Sequence, residues 1–476
     1  MNRKLLGALV VILTALSGCN QPASLTCGDG TRKEGGACIA VSNLRCAAGT
    51  HDEAGECVAD PVAQIACGAG THLDGTACVI DGPAIEPPSP WSAPIPVCQE
   101  GVSCDSPLML QTPSGAVVVV SESGAASMSV AAYRQTPSGF VLAHRFEGVS
   151  AVAMTPTLAV RGSTLYLAYT DYEPSGGQSY GPGDLMLATS GDFGVTWSAP
   201  RRINAMPATT LLYSPRLTVS AAGLDVLYTD TDGRTTADNM YLHSDDDGLT
   251  FGEPVRLPSG SAYDSISLGA AGIRVGANLE VPVSRSGYDQ QGGQLSTVEV
   301  MTLTPGPTMA TQNAKVKRVF ASRDFPLDPV PVLDVSPAGV RCMAYVDAPS
   351  RDMSIFVVRS DTALDGSQQP VMLPGGPGSV QLAPAVVATE QGDCELSWLD
   401  NRSGAWELYE TTLKADGTWR APRKVSPMSF TEDGITRSLA AKVTMTRSAT
   451  ARNLAWSDFR DGQPSVSFSS APLADQ

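Results

Sequence analysis

One pattern recurs across most of the chain: an apolar β-run that ends in aspartate. It is read at Leu165 to Asp171, Leu224 to Asp230, Cys342 to Asp347, Leu396 to Asp400 and Leu454 to Asp458. Val117 to Ser121 and Leu279 to Ser284 hold the equivalent places without the acid. After each come a polar turn, another β-run, a hairpin and usually a closing strand such as Trp197-Ser198-Ala199-Pro200-Arg201-Arg202-Ile203. Four short strands repeated every ~50–60 residues cannot bury their faces alone, but stacking such units around an axis does, and this is how a propeller blade reads. Units start near Leu108, Thr157, Pro215, Ser265, Pro331, Pro384 and Ser438. The expectation is an all-β chain with a seven-bladed β-propeller, six blades being the alternative. A pair of β-sandwiches would share the composition but not this repeated order of strands.

The last unit has its Asp-terminated run and a further β-run, Ser465 to Ser469, but no closing strand after it. That element stands before the first unit, as Trp91-Ser92-Ala93-Pro94-Ile95-Pro96-Val97, which nearly repeats Trp197-Ser198-Ala199-Pro200 and resembles Trp419-Arg420-Ala421-Pro422. Residues 91–476 are therefore expected to form one ring, closed by strand 91–97, because an unpaired last edge is an aggregation liability. Trp91 should then pack between the last blade and its neighbour.

Upstream of the ring, six cysteines form three short repeats. Cys27 to Cys38, Cys46 to Cys57 and Cys67 to Cys78 each enclose ten residues, with Gly-Thr at the same offset (Gly30-Thr31, Gly49-Thr50, Gly70-Thr71). Zinc sites favour close Cys-x-x-Cys pairs, which are missing here. His51 and His72 follow Gly-Thr in two repeats but Arg32 holds that place in the first, so neither is a required ligand. No metal and no cofactor is expected. Residues 27–81 read as three disulfide-closed loops, each paired locally, followed by a proline-rich linker at 82–90. Cys98 with Cys104 should close a small loop at the entry of the ring. Cys342 and Cys394 lie on equivalent runs of consecutive units and should pair.

At the start of the chain, Arg3 and Lys4 precede an apolar run, Leu5 to Leu16, too short to span a bilayer as a helix. This is the pattern of a cleavable export signal at 1–18. Its end, Leu16-Ser17-Gly18-Cys19, resembles the lipobox of bacterial lipoproteins, which implies lipidation of Cys19, a tether at 19–26 and attachment to a membrane. Asn20 after the cysteine, by resemblance to the enterobacterial sorting rule, points to the outer membrane. Setting Cys19 aside leaves ten cysteines of eleven, an even number suited to an oxidising compartment. With a formal net charge of −16 and no basic run after the signal, nucleic-acid binding is excluded as a working class.

Two hairpins carry a more specific signature. Ser190-Gly191-Asp192-Phe193-Gly194-Val195-Thr196-Trp197 and Ser244-Asp245-Asp246-Asp247-Gly248-Leu249-Thr250-Phe251 match the pattern Ser-x-Asp-x-Gly-x-Thr-aromatic, and Lys414-Ala415-Asp416-Gly417-Thr418-Trp419 is a shortened relative. The pattern resembles the Asp-box of the bacterial neuraminidase repeat, which occurs in sialidases and in many propellers that are not sialidases. In that family the boxes are structural and lie on the outer rim. Ser190, Asp192, Gly194, Thr196, Trp197, Ser244, Asp246, Gly248, Thr250 and Phe251 are accordingly expected to build the fold, not to catalyse. Sialidase chemistry, as the resemblance implies it, needs three arginines on the sialate carboxylate, a tyrosine nucleophile activated by glutamate, and an aspartic acid. The family's Arg-Ile-Pro signature is absent from its place near the first strand, where Pro94-Ile95-Pro96 stands. Arg202-Ile203-Asn204 follows an Asp-box and sits in the wrong position. Arg161, Arg216, Arg341, Tyr288 and Glu280 are present, but nothing in their spacing brings them together. A second recurrence, Trp398-Leu399-Asp400-Asn401-Arg402 and Trp456-Ser457-Asp458-Phe459-Arg460, reads as an acid–arginine brace at a turn.

No catalytic residue is assigned. The sequence predicts an envelope-anchored lipoprotein whose monomeric, non-catalytic propeller binds a glycan or protein ligand. The alternatives are a sialidase-like glycoside hydrolase and a scaffold subunit of an envelope complex. The contents of the central pocket discriminate among them.

Overall fold

The computed structural model describes hairpins at 31–40, 50–59 and 71–80, each apart from its turn, and the chain from 89 to 473. Within the latter, 125–126, 149–151, 175–179, 206–207, 232–236, 258–264, 289–293, 305–309, 320–329, 349–352, 377, 428–441 and 461–462 lie outside the description. So do the predicted signal 1–18, Cys19 and the tether. Two compact units are present, Met1–Ala66 and Cys67–Gln476.

Each cysteine repeat folds as the same two-stranded hairpin. Thr31–Glu34 pairs with Ala37–Ala40, Thr50–Glu53 with Glu56–Ala59, and Thr71–Asp74 with Ala77–Ile80. The register is identical, setting Lys33, Asp52 and Leu73 opposite Cys38, Cys57 and Cys78. Cys38 is disulfide-bonded. Cys27, Cys46 and Cys67 lie outside the described residues, as do the side chains of Cys57 and Cys78, and with them the three local pairings.

From Ser103 onward the strands form antiparallel meanders of four, the inner strand of the fourth being split into Ser265–Leu268 and Ile273–Val275. They run over 103–147, 153–202, 211–256, 265–319, 332–372, 381–427 and 443–472, the second and third joined by a single parallel pairing of Gly183 with Leu211. The seventh has three strands of its own, Val443–Arg447, Ala451–Arg460 and Gln463–Pro472, and takes Ile95–Pro96 as its fourth. The Ser92 and Val97 amides extend that pairing onto Ser470 O and Val466 O, both at 2.9 Å.

The first strands are neighbours all the way round. Ser103–Thr112 meets Ala153–Arg161, and the sequence continues through Leu211–Ser220, Ile273–Val275, Val332–Val335 and Gln381–Ala388 to Val443–Arg447, which returns to Ser103–Thr112. This is a closed propeller of seven meanders, hereafter blades, with the first strands innermost. Its core is correspondingly divided into seven seams between adjacent sheets. Val119, Val130 and Phe146 meet Leu167, Tyr169 and Met186 between blades one and two. Val118, Val120 and Tyr133 meet Ala455, Val466 and Phe468 where the seventh blade closes on the first. An Asn453 side-chain amide donating to Gln111 Oε1 (2.8 Å) joins the same two blades. Alternation along a half-buried strand would leave one polar face, yet the second strands are buried on both, as in Cys394–Asp400. That is why the sequence shows them as continuous apolar runs.

The clasp tryptophan completes a repeated seam. Trp91 is 7% exposed among Leu399, Trp406, Leu408, Met445, Leu454 and Trp456, between blades six and seven. Trp197 meets Phe146 edge-on at 5.4 Å, and Trp419 packs into the seam between blades five and six. In each case the closing-strand aromatic leans on the preceding blade. Within the ring the described residues include two disulfides, Cys98–Cys104 and, between the second strands of blades five and six, Cys342–Cys394, with Cα atoms 5.7 Å apart.

Candidate ligand-binding site at the propeller centre

The antiparallel order fixes which features share an end of the ring. Asp105 is opposite Ser121, Ala153 opposite Asp171, Leu212 opposite Asp230 and Gln381 opposite Asp400. The starts of the first strands therefore lie beside the acid-terminated ends of the second. The Asp-boxes follow the third strands, at the opposite end.

There the boxes are self-contained. In the first, the Thr196 amide and hydroxyl donate to Asp192 at 2.8 and 2.6 Å, the Ser190 hydroxyl donates to Asp192 at 2.8 Å, and the Gly194 amide donates to Ser190 Oγ at 2.8 Å. The second repeats these contacts with Thr250, Ser244, Gly248 and Asp246. Donation from the threonines holds the Asp192 and Asp246 carboxyls down to about 2. Gly194 (φ +85°) and Gly248 (φ +80°) take a backbone that side chains resist, and a Cβ there would press on Val117 and Leu187 respectively. Thr418 donates to Asp416 in the shortened relative. A further one, Asp365-Gly366-Ser367, has Ser367 donating to Asp365 at 2.6 and 2.9 Å. It escapes a search on the full pattern because threonine and aromatic are both replaced, though Asp-Gly-Ser is itself a turn signal.

The arginines considered for a carboxylate grip are dispersed. Arg161 bonds Tyr166, Ser220 O and Asp247 at the box end. Arg341 makes a buried bidentate pair with Glu280 of the preceding blade, at 2.9 and 2.7 Å. Arg216 lies mid-way along an inner strand, just after its bulge, and the Tyr288 side chain lies outside the described residues. The Trp398–Arg402 segment is the brace its spacing suggests: Asp400 receives Arg402 Nη2 at 2.5 Å, the Arg402 amide at 2.8 Å and Trp398 Nε1 at 3.0 Å. Tyrosine–acid pairs do exist, Tyr133 with Glu122 (2.5 Å), Tyr241 with Asp225 (2.6 Å) and Tyr409 with Glu407 (2.6 Å). Burial, reinforced by the acceptor acid, pushes each phenol pKa upward, so these protons are held and not given up.

The central end of the ring is different. Ser106, Thr155, Ser214 and Ala383 all adopt φ of +52° to +53°, and each precedes a proline, Pro107, Pro156, Pro215 or Pro384. At each the pairing register to the second strand slips. Four of seven inner strands thus carry the same bulge at the same place, with a backbone conformation that costs ~1–3 kcal/mol apiece. The signal for these bulges in the sequence is the X-Pro that recurs at four of the unit starts, at Pro107, Pro156, Pro215 and Pro384.

Around these bulges stand three charged groups. Arg216 is spent on carbonyls, donating to Gly269 O at 2.5 Å and Pro215 O at 3.1 Å. Burial lowers its pKa to about 10. Lys442, at the start of the seventh inner strand, has its pKa lowered to about 8, first by burial and then by the nearby Arg216 charge. Its side chain is exposed to solvent. Asp105 faces Lys442, and its own pKa is raised by burial. Ser457 links the two: its amide donates to Lys442 O (3.0 Å) and its hydroxyl accepts the amide of Ser106 (3.3 Å).

Neither a family model nor a curated protein matches the chain. Among solved structures, similar chains include a Hadza microbial sialidase (14% identity, TM-score 0.45, covering 75% of this chain and 76% of that one). A Penicillium chrysogenum α-L-arabinanase complexed with arabinobiose gives 13% identity and a TM-score of 0.44 over 81% and 99% of the two chains. An ulvan lyase bound to -[GlcA(1-4)Rha3S]- gives 12% identity and a TM-score of 0.48 over 77% and 93%.

Proposed function

We propose that this chain is a lipid-anchored envelope protein whose propeller is a non-catalytic binding module, taking a glycan or protein ligand at its central opening. One observation carries the reading: four inner strands bear the same strained bulge at one end of the ring. Backbone strain repeated in this way is characteristic of surfaces shaped for contact. The anchor part rests on the Leu16-Ser17-Gly18-Cys19 spacing alone.

Binding is favoured over glycoside cleavage because the Tyr133–Glu122, Tyr241–Asp225 and Tyr409–Glu407 pairs are buried and hold their protons. A tyrosine nucleophile needs the opposite. The test is a glycan-array screen of the purified protein beside a fluorogenic sialoside assay. Specific array binding without turnover supports the reading, and turnover abolished by Arg216→Ala overturns it.

A further inference from the structure

Apart from the central opening, we infer that blade one carries a saccharide-binding cleft of its own, where Arg145 and Glu147 grip neighbouring hydroxyls of an uncharged sugar. The cleft is a cavity of about 430 Å³ at the bulge-bearing end of the ring. Strand register creates it. On the face of blade one that meets blade seven, Val118, Val120, Ala131 and Tyr133 are buried in the seam. One pair further along, Glu122 stands opposite Ser129 and Ser129 opposite Glu147, while Arg145 is opposite Ala131. Residues opposite one another share a face, so the apolar seam ends in a polar row on the same side. Gly101 and Val102, in the loop closed by the Cys98–Cys104 disulfide, supply another wall.

The arginine is held ready for a ligand. Its Nε donates to Glu122 Oε2 at 2.6 Å, and the other oxygen of that buried carboxylate accepts the Tyr133 hydroxyl at 2.5 Å. Glu122 is thus a positioning residue. Among the described residues no acceptor meets the two Nη groups of Arg145, whose side chain is 34% exposed and lines the cavity. The lining decides the class of ligand. One guanidinium against the carboxylates of Glu122 and Glu147 leaves a formal negative excess, which repels a carboxylate or sulfate, and the guanidinium beside them disfavours a metal ion. Val102 and Met128 are the only apolar side chains among the described lining residues, too little for an apolar ligand. A sugar hydroxyl both donates and accepts. One hydroxyl can therefore accept from Arg145 Nη while its neighbour donates to Glu147, with the Ser127 and Ser129 hydroxyls in the same lining. The volume lies at the lower end of the ~300–1,000 Å³ of small-molecule sites and suits a mono- or disaccharide.

The experiment uses detergent-solubilised full-length protein and saturation-transfer NMR with maltose, cellobiose, lactose and chitobiose, beside the anionic digalacturonate. Wild type is compared with Arg145→Lys, whose single ammonium stays with Glu122, and with Ser127→Trp, which fills the cleft from an exposed position. Circular dichroism checks each fold. At least one neutral disaccharide should bind, unchanged by added salt, weakened at least about tenfold by Arg145→Lys and lost in Ser127→Trp. Ser127 stands apart from the Arg145–Glu122–Tyr133 bonds, so its replacement keeps the test decisive where Arg145→Lys does not fold. No neutral disaccharide bound, or digalacturonate bound in preference, overturns the cleft. Disaccharide binding indifferent to both variants overturns it too, and leaves the central opening as the site.

Discussion

At the scale of single residues, the ionisable groups report two opposite environments. Asp192 has a folded pKa of about 2, below its ordinary 3.8, because Thr196 and Ser190 donate to its charged form. Its contribution is therefore present above pH 3.8 and lost as pH falls through about 2. The Thr196 amide resonance should titrate with a midpoint near 2, and Asp192→Asn should abolish that titration; a midpoint near 3.8 would show that the hairpin bonds do not hold the carboxylate. Lys442 runs the other way, with a folded pKa of about 8 against an ordinary 10.5. Between those values the unfolded chain binds more protons, so stability should rise with pH across that window. Urea midpoints at pH 7.5 and 9.5 should show the rise in wild type and lose it in Lys442→Gln. An equal rise in both would place the titrating group elsewhere.

At the scale of elements, the closing strand and the inter-blade disulfide do the work of holding the ring. Trp91→Ala removes a 7%-exposed indole from the sixth seam and should destabilise the protein by ~3–5 kcal/mol. A chain beginning at Cys98 should melt well below one beginning at Pro87, and equal melting temperatures would mean the two-residue pairing contributes nothing. Replacing Cys342 and Cys394 by alanine opens a link across 52 residues and should cost ~2–4 kcal/mol, read as a lower urea midpoint. These elements were legible because they are made of apolar periodicity and repeated words: the Trp-Ser-Ala-Pro echo located the clasp, and equivalent positions on consecutive runs located the disulfide. The bulges were harder to read: Ser106, Thr155, Ser214 and Ala383 share only the proline that follows each, and a proline alone does not dictate a positive φ before it.

For the whole molecule, the organisation is a series of small disulfide-type hairpins leading to one large ring. If Cys19 carries the proposed lipid, Cys19→Ser should move the protein from the membrane fraction to the soluble one without changing its thermal midpoint. A variant that stays with the membrane would assign attachment to another segment.

The closing strand has a mechanical meaning. Any pull transmitted along the chain from its N-terminal side arrives at Trp91 before it reaches the rest of the ring. Ile95 and Pro96 would be peeled from Ser467 and Phe468 first, with the buried indole resisting as the leading bolt. Behind them the Cys98–Cys104 bridge stops the tear at the edge of the first blade. A sustained tug would thus convert the seventh blade to three strands while the other six stayed assembled.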